Sequence, residues 1–220
     1  METEVKLSFR DKESLNNVIL TDSFRKYCTD LDQAPMLLEN NYLDTKDRTV
    51  LSRSGSARVR HVSGGGKDFY EFTVKYGGGS SSGLHRRFEW NVRSDDDRFS
   101  IAAFKEKAAI EDGDPVEYLD EVFEGLNDDD LIVLCINSFN RTVYHLKYKN
   151  STVEACVDSG IINSQISDKT DEICELELEL ITGDEKDLME LKELIMNENE
   201  CVPLDKSKFM RTLALAMGNR

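Results

Sequence analysis

The chain has 220 residues, enough for one domain with a sizeable hydrophobic core or at most two small ones. Its 28 basic and 43 acidic residues give a net charge of −15, which argues against a surface that coats nucleic acid or an anionic membrane. No segment approaches the roughly 18 apolar residues of a membrane span, and the first residues suit a charged strand rather than a signal peptide. The five cysteines are widely spaced, which suits a reducing compartment. We therefore expect one cytoplasmic domain over residues 1–220.

The predicted elements begin with a strand at residues 1–6, "METEVK", and a helix over 12–27 with apolar residues at helical spacing. Further short strands follow, separated by glycine- and serine-rich turns, at 40–45, 57–62, 68–76, 85–93, 140–150, 151–158 and 174–180. Helices are predicted at 96–110, 115–126, 183–199 and 205–217. About eight mostly antiparallel strands with flanking helices indicate an α+β fold, with a helical insertion at about 95–130 and C-terminal helices at about 183–218.

Nearly every predicted strand has one apolar face and one charged face. In "CELELEL", Glu175, Glu177 and Glu179 alternate with leucines, and Glu2 and Glu4 repeat the pattern at the other end of the chain. An ordinary sheet with one solvated face gives the same alternation. However, like charges two residues apart on one strand cost free energy on a bare surface, whereas they suit a site that holds a polyanion and metal ions.

The charged faces therefore have two possible locations. If helices cover the apolar strand faces, the charged faces must point either to solvent or into a closed barrel. A barrel of about eight strands has an interior wide enough for side chains and a small ligand.

Five motifs carry a resemblance to a known family. The segments "ETEVK", "SGLHRRFEWNV", "VEACVDSG", "ICELELELITGD" and "DKSKFMRTLALAMG" occur in the order of the CYTH superfamily, the triphosphate tunnel metalloenzymes. The chain is most similar to the bacterial inorganic triphosphatase branch, from Glu2 to about Gly218. The resemblance implies a closed eight-stranded antiparallel barrel with flanking helices, whose lumen binds a linear triphosphate and two Mg²⁺ or Mn²⁺ ions.

The same resemblance assigns roles to individual residues. The residues that match substrate-binding and catalytic cations are Lys6, Arg58, Arg60, Lys75, Arg87, Arg141 and Lys208. Glu89 completes an R-x-E pair with Arg87 and is included among the catalytic residues. The residues that match metal-binding carboxylates are Glu2, Glu4, Glu154, Asp158, Glu175, Glu177 and Glu179. Lys206 competes with Lys208 for the position of the lumen lysine, and Ala57 departs from a common leucine.

The function implied is metal-dependent hydrolysis of inorganic triphosphate to pyrophosphate and phosphate. Arginine recognises phosphate oxygens in a bidentate manner, lysine acts as a point charge, and Mg²⁺ or Mn²⁺ bridges carboxylates to phosphates. The alternatives are hydrolysis of thiamine triphosphate or another organic triphosphate, cyclisation of ATP, and a non-catalytic polyphosphate sensor. A small-molecule triphosphate is the expected partner, no nucleic acid or membrane partner is expected, and the oligomeric state is left open.

Overall fold

Nine strands carry most of the chain in the computed structural model, which describes residues 1–111, 114–164, 166 and 168–218. They are β1 (Glu2–Phe9), β2 (Met36–Asp44), β3 (Gly55–Gly64), β4 (Lys67–Ser81), β5 (Leu84–Ser94), β6 (Ile132–Tyr148), β7 (Ser151–Asn163), β8 (Thr170–Thr182) and β9 (Cys201–Pro203). Positions 112 and 113 of the predicted insertion, positions 165 and 167, and the last two positions of the predicted domain, 219 and 220, lie outside the described residues.

The first eight strands close into an antiparallel barrel. Their order is β5-β4-β3-β2-β6-β7-β8-β1, and pairing between β5 and β1 completes the ring. At the closure, Glu2 of β1 lies opposite Arg87 of β5, while on the other side of β1 Glu4 lies opposite Glu179 of β8. The short strand β9 pairs with the end of β1. The predicted closed eight-stranded barrel is confirmed, because each of the eight strands pairs with a neighbour on both sides.

Strands β2 and β6 begin four or more residues earlier than the sequence pattern predicts, as does β8, which begins at Thr170 rather than residue 174. β2 begins at Met36 rather than residue 40, and β6 begins at Ile132 rather than residue 140. The added parts of β2 and β6 bury apolar or neutral residues on the inward-facing positions, such as Leu38 and Phe139. The alternation of charged and apolar residues, on which the prediction depended, is therefore missing there.

Seven helices flank the barrel in the described part of the chain. They are α1 (Lys12–Asn17), α2 (Asp22–Tyr27), α3 (Thr49–Ser52), α4 (Ile101–Glu111), α5 (Glu117–Phe123), α6 (Glu185–Glu198) and α7 (Lys208–Ala216). The predicted helix over 12–27 is divided into α1, a 3-10 turn and α2, because Thr21 adopts an extended conformation with φ −71° and ψ 155°. No helix among the described residues is long and apolar enough to cross a lipid bilayer.

Two hydrophobic clusters hold the helices on the outside of the barrel. Helices α1, α2 and α6 pack on the outer faces of β1, β6, β7 and β8, where Leu7, Phe24 and Leu191 are buried. Helices α4 and α5 pack on β3, β4 and β5 around the fully buried Trp90. Because each buried large apolar side chain contributes about 1.5–3 kcal/mol, these clusters favour charged faces that point inward.

Helix α7 occupies a different position. Phe209 and Leu213 pack against Tyr42 of β2 and Cys135 of β6, and Leu215 contacts the cluster that contains Phe139. Ser207 caps the helix by accepting a hydrogen bond from the backbone N–H of Met210 at 3.2 Å. The first turn of α7 therefore lies against the inward-facing residues of the barrel.

Candidate active site

A cavity of about 230 Å³ lies inside the barrel. Seven acidic and seven basic side chains of the described residues line it. The bases are Lys6, Arg58, Arg60, Lys75, Arg87, Arg141 and Lys208, and the acids are Glu2, Glu4, Glu71, Glu89, Glu154, Glu177 and Glu179. We call this cavity the tunnel.

One wall of the tunnel concentrates guanidinium groups. Arg58 Nη2 donates to Thr73 Oγ1 at 2.7 Å, and Arg60 Nε donates to Asn40 Oδ1 at 2.7 Å. Burial, and then the neighbouring charges of Arg58 and Arg141, lower the pKa of Arg60 to about 10. Arg58 Nε is buried and has no hydrogen-bond partner among the described residues. This wall therefore holds more positive charge and more donor capacity than its own partners satisfy.

Helix α7 contributes a buried lysine to the tunnel. Lys208 Nζ lies 2.8 Å from Asp158, 2.6 Å from Glu175 and 2.8 Å from Glu177. Burial opposes the charge on Lys208, but these three carboxylates raise its pKa above the usual range. Arg141 forms a bidentate pair with Asp158, with distances of 2.7 and 2.6 Å.

The carboxylates of β1 are held by cations of β4 and β5. Glu2 accepts from Lys75 Nζ at 3.1 Å and from Arg87 Nε at 3.0 Å, and Arg87 also bonds to Glu4. Lys75 also pairs with Glu89 of β5. Burial opposes ionisation of Glu89, but Lys75 and further contacts lower its pKa to about 2. Each of these acids therefore has a cationic partner from β4 or β5.

Glu179 differs from the other acids. Burial and the nearby charges of Glu2, Glu89 and Glu154 raise its pKa to about 8, and the opposing effect of Lys75 is too small to prevent this. Glu154 has a weak partner at 3.9 Å, His145. Negative charge is therefore in excess around Glu179, and a cation placed there would stabilise the ionised carboxylates.

No assembled metal-ligand group is present in the part of the chain that the structure describes, since no three acidic, histidine or cysteine side chains are arranged to hold an ion. The acids are bonded to lysine and arginine side chains instead. The donor set is nevertheless of the right kind, because carboxylate oxygens are the ligands that hard divalent cations prefer. The excess of carboxylates around Glu179 is where such a cation fits.

The structure brings together nearly all of the residues selected from the sequence. All seven predicted cations line the tunnel, together with Glu2, Glu4, Glu89, Glu154, Glu177 and Glu179. Asp158 and Glu175 are fully buried beside the tunnel and hold Lys208 instead of lining the cavity. Of the two competing lysines, Lys208 is inside and Lys206 is exposed outside.

Sequence reasoning missed several lining residues, among them Tyr42, Phe139, Cys156 and Phe209. Strand parity could have found Cys156, because it lies between Glu154 and Asp158 on the same face of β7. Phe139 and Phe209 carry no such signal, since apolar residues are expected in a core.

A scan against family models finds a match to the CYTH domain over residues 1–213. The fold also resembles solved structures that cover nearly the whole chain. The putative adenylyl cyclase HpAC1 from Hippeastrum, described as having a dominant triphosphatase activity, superposes with a TM-score of 0.67 at 17% identity, covering 100% of this chain and 97% of that protein.

Two further structures show the same fold. A putative adenylate cyclase from Bacillus halodurans gives a TM-score of 0.53 at 18% identity and covers 96% of this chain and 98% of that one. The PH1819 protein from Pyrococcus horikoshii gives a TM-score of 0.55 at 13% identity, with coverage of 96% and 98%.

Proposed function

Because the chain belongs to the CYTH domain family, we propose that it hydrolyses inorganic triphosphate to pyrophosphate and phosphate inside the tunnel, with the help of divalent cations. The observation that carries this proposal is the tunnel itself, where seven cationic side chains surround a space of about 230 Å³. This volume is below the ~300–1,000 Å³ of typical sites for organic ligands. A short phosphate chain fits this space better than a whole nucleotide does.

The cations of the tunnel suit a linear polyanion. Arg58, Arg60 and Arg141 present guanidinium groups to phosphate oxygens, while Lys6, Lys75 and Lys208 add point charges along the chain. The unpartnered Nε of Arg58 and the lowered pKa of Arg60 support this role. A phosphate anion would accept a hydrogen bond from that Nε, and its negative charge would raise the pKa of Arg60. Bound phosphates thus replace wall carboxylates as partners of these cations.

The carboxylates suit the metal ions of the proposed reaction. Glu179, with Glu2, Glu89 and Glu154 around it, would hold a cation at one side of the tunnel, and Glu4 and Glu177 are further candidate ligands. When bound, Mg²⁺ or Mn²⁺ would neutralise phosphate charge and make the attacking water more acidic. The side chains of the tunnel position the phosphate chain and stabilise the charge of the transition state, so no protein nucleophile is required.

The test measures phosphate release from inorganic triphosphate, thiamine triphosphate and ATP, each with Mg²⁺, with Mn²⁺ and with chelator. We expect kcat/KM for inorganic triphosphate to exceed that for ATP at least about tenfold, or about 1.4 kcal/mol of transition-state binding. Chelator should abolish release. A Glu4→Gln variant, which keeps the shape of the side chain without its charge, is purified in parallel as a control. Phosphate release by this variant measures contaminating phosphatases.

Other outcomes would assign the tunnel differently. Equal or faster turnover of ATP or thiamine triphosphate would contradict the inorganic substrate, and formation of cyclic AMP would indicate a cyclase. Tight binding of triphosphate with no turnover under any metal condition would favour the polyphosphate sensor.

A further inference from the structure

A second and larger cavity, of about 810 Å³, lies beside the tunnel. We call it the outer chamber. Its walls are the hairpin between β4 and β5, the start of β8, the segment that precedes α7, and one side of α7. Arg87 and Ser207 line both cavities, so the outer chamber and the tunnel meet at these two residues.

The wall of the outer chamber is basic, although the whole chain is strongly acidic. It has two acidic side chains, Asp171 and Asp205, and five basic ones, Arg86, Arg87, Lys169, Lys206 and Arg211. The chain as a whole has a net charge of −15. A polyanion is therefore repelled by the protein in general and attracted at this cavity, because local charge in a concave site focuses the electric field.

The cations of the chamber differ in how strongly they are held. Arg86 Nε donates to Glu185 at 2.7 Å, and Arg211 Nε donates to Asp171 at 2.7 Å. Lys206 is exposed and forms no ion pair with any residue that the structure describes. Lys206 can therefore attract an arriving anion without first breaking a bond within the protein.

The position of Lys206 is set by contacts between the hairpin and the C-terminal segment. The backbone N–H of Gly83 donates to Asp205 Oδ1 at 2.7 Å, and His85 Nε2 donates to the carbonyl oxygen of Leu204 at 2.9 Å. The hairpin itself needs glycine at position 78, where φ is +85° and a Cβ atom would lie 2.1 Å from the carbonyl oxygen of Arg86. These hydrogen bonds and the requirement for glycine at position 78 fix the backbone of this wall of the chamber.

The opposite approach to the tunnel is acidic. The chamber lies at the start of β8, near Thr170, whereas Glu179 lies toward the end of β8. Glu154, at the start of β7, lies opposite Glu179 in the sheet, and its side chain is 31% exposed. An anion near Glu154 and Glu179 therefore meets carboxylates, whereas an anion in the outer chamber meets an excess of basic side chains.

We propose that the outer chamber is the entrance of the tunnel, a basic vestibule that captures inorganic triphosphate from solution and passes it to Arg87. This inference rests on the proposed function and adds the route of the substrate and a residue, Lys206, that acts in capture without touching the reacting atoms. It predicts that Lys206 affects kcat/KM through long-range electrostatics, and that it has little effect on kcat.

The test compares Lys206→Glu with Lys67→Glu, which makes the same charge change on an exposed lysine of the β3–β4 hairpin, outside both cavities. At an ionic strength near 20 mM, we expect Lys206→Glu to lower kcat/KM for inorganic triphosphate about five- to tenfold, with kcat within about twofold of the parent. At about 0.5 M salt the difference should shrink below about twofold, because the Debye length falls to a few ångströms. The kcat/KM of Lys67→Glu should stay within about twofold of the parent value at both ionic strengths.

Binding supplies a readout that needs no turnover. Titration calorimetry with a methylene-bridged triphosphate should show weaker binding by Lys206→Glu, but not by Lys67→Glu, and again mainly at low salt. Equal values for the two variants would overturn the entrance while leaving the proposed function intact, provided that the parent protein hydrolyses triphosphate. A fall in the kcat of Lys206→Glu as large as the fall in its kcat/KM, or a loss of activity with ATP alone, would also contradict the proposed entrance. If the parent protein neither binds nor hydrolyses triphosphate, both the proposed entrance and the proposed function are wrong.

Discussion

Arg60 and Lys208 show how two buried cations in one cavity differ through their partners. Burial disfavours the charge of both. Lys208 has three carboxylates within 2.8 Å, so its pKa is raised, whereas the nearest cations of Arg60 are Arg58 and Arg141 and its pKa is lowered to about 10. Arg58 and Arg60 share one loosely placed carboxylate, Glu71 at 3.6 Å from each, and the proposed phosphate chain would supply the further negative charge that this wall can bind.

Glu179 is the acid for which the residue scale makes a clear prediction. In the unfolded chain its carboxyl ionises near the usual 4.5, and in the folded protein near 8. Between these pH values the folded state binds more protons than the unfolded state, so this residue makes the protein less stable as pH rises from about 4.5 to 8. The Glu179→Gln variant lacks that penalty.

We therefore expect Glu179→Gln to melt about 2–4 °C above the parent at pH 9 in the presence of chelator, which corresponds to about 1 kcal/mol. At about pH 3 the two should melt within about 1 °C, because the Glu179 carboxyl is then almost fully protonated in both the folded and the unfolded state. Thermal unfolding of both proteins across this pH range gives the measurement. The same variant should lose most activity at saturating Mg²⁺. A variant that is active and no more stable at pH 9 would make Glu179 an ordinary wall residue.

At the scale of elements, α7 decides which lysine enters the tunnel. Ser207 is extended, with φ −69° and ψ 157°, and separates Lys206 before the helix from Lys208 in its first turn. A chain of hydrogen bonds fixes the helix on the barrel: Asn40 donates to Asn137 at 2.9 Å, and Asn137 donates to Thr212 at 2.7 Å. Since Arg60 donates to Asn40, α7 and the arginine wall share one network.

The two lysines offer a matched pair of substitutions. Lys208→Met leaves Asp158, Glu175 and Glu177 without their shared cation, and losing one partner of a buried ion pair typically costs about 3–5 kcal/mol. We expect its melting temperature to fall by about 6–20 °C at neutral pH and its activity to be lost. Lys206→Met should melt within about 1 °C of the parent and keep kcat, because Lys206 is exposed and unpaired among the described residues. Equal melting temperatures for the two variants would show that the buried ion pairs around Lys208 contribute nothing measurable to stability.

At the scale of the whole molecule, the two ends of the chain meet in one site. β1 pairs with β8, and Lys208 of α7 reaches Glu177, which also bonds to Lys6 of β1. Carboxylates and cations therefore share a cavity in equal numbers. If the carboxylates bind metal and the cationic side chains bind phosphate, as we propose, the binding of each ligand increases the affinity of the site for the other.

We therefore expect Mg²⁺ and triphosphate to bind with positive coupling of about 1–3 kcal/mol, or about 5- to 150-fold in affinity. Titration calorimetry of a methylene-bridged triphosphate at several Mg²⁺ concentrations measures this coupling in the unmodified protein. The data must be corrected for Mg²⁺ bound by the analogue in solution. Affinity that does not change with Mg²⁺ would mean that the carboxylates and the phosphates do not share a site.

Much of the barrel and of the tunnel could be predicted from the sequence. Side chains alternate between faces in any strand, so Glu2 and Glu4, and likewise Glu177 and Glu179, necessarily share a face. The motif order then identified all seven cations that line the tunnel. The shared faces depend on local backbone geometry, which the sequence itself determines, whereas the roles of the seven cations came from the resemblance to the CYTH superfamily.

The remaining features depend on contacts between distant segments. The break of the predicted 12–27 helix at Thr21 and the early start of β6 at Ile132 are decided by packing on the barrel and not by local pattern. The distinction between Lys206 and Lys208 depends on where α7 lies, and the raised pKa of Glu179 depends on acids from β1, β5 and β7. The tertiary structure alone decides these features, because ion pairs and burial are set by distances between residues far apart in the chain.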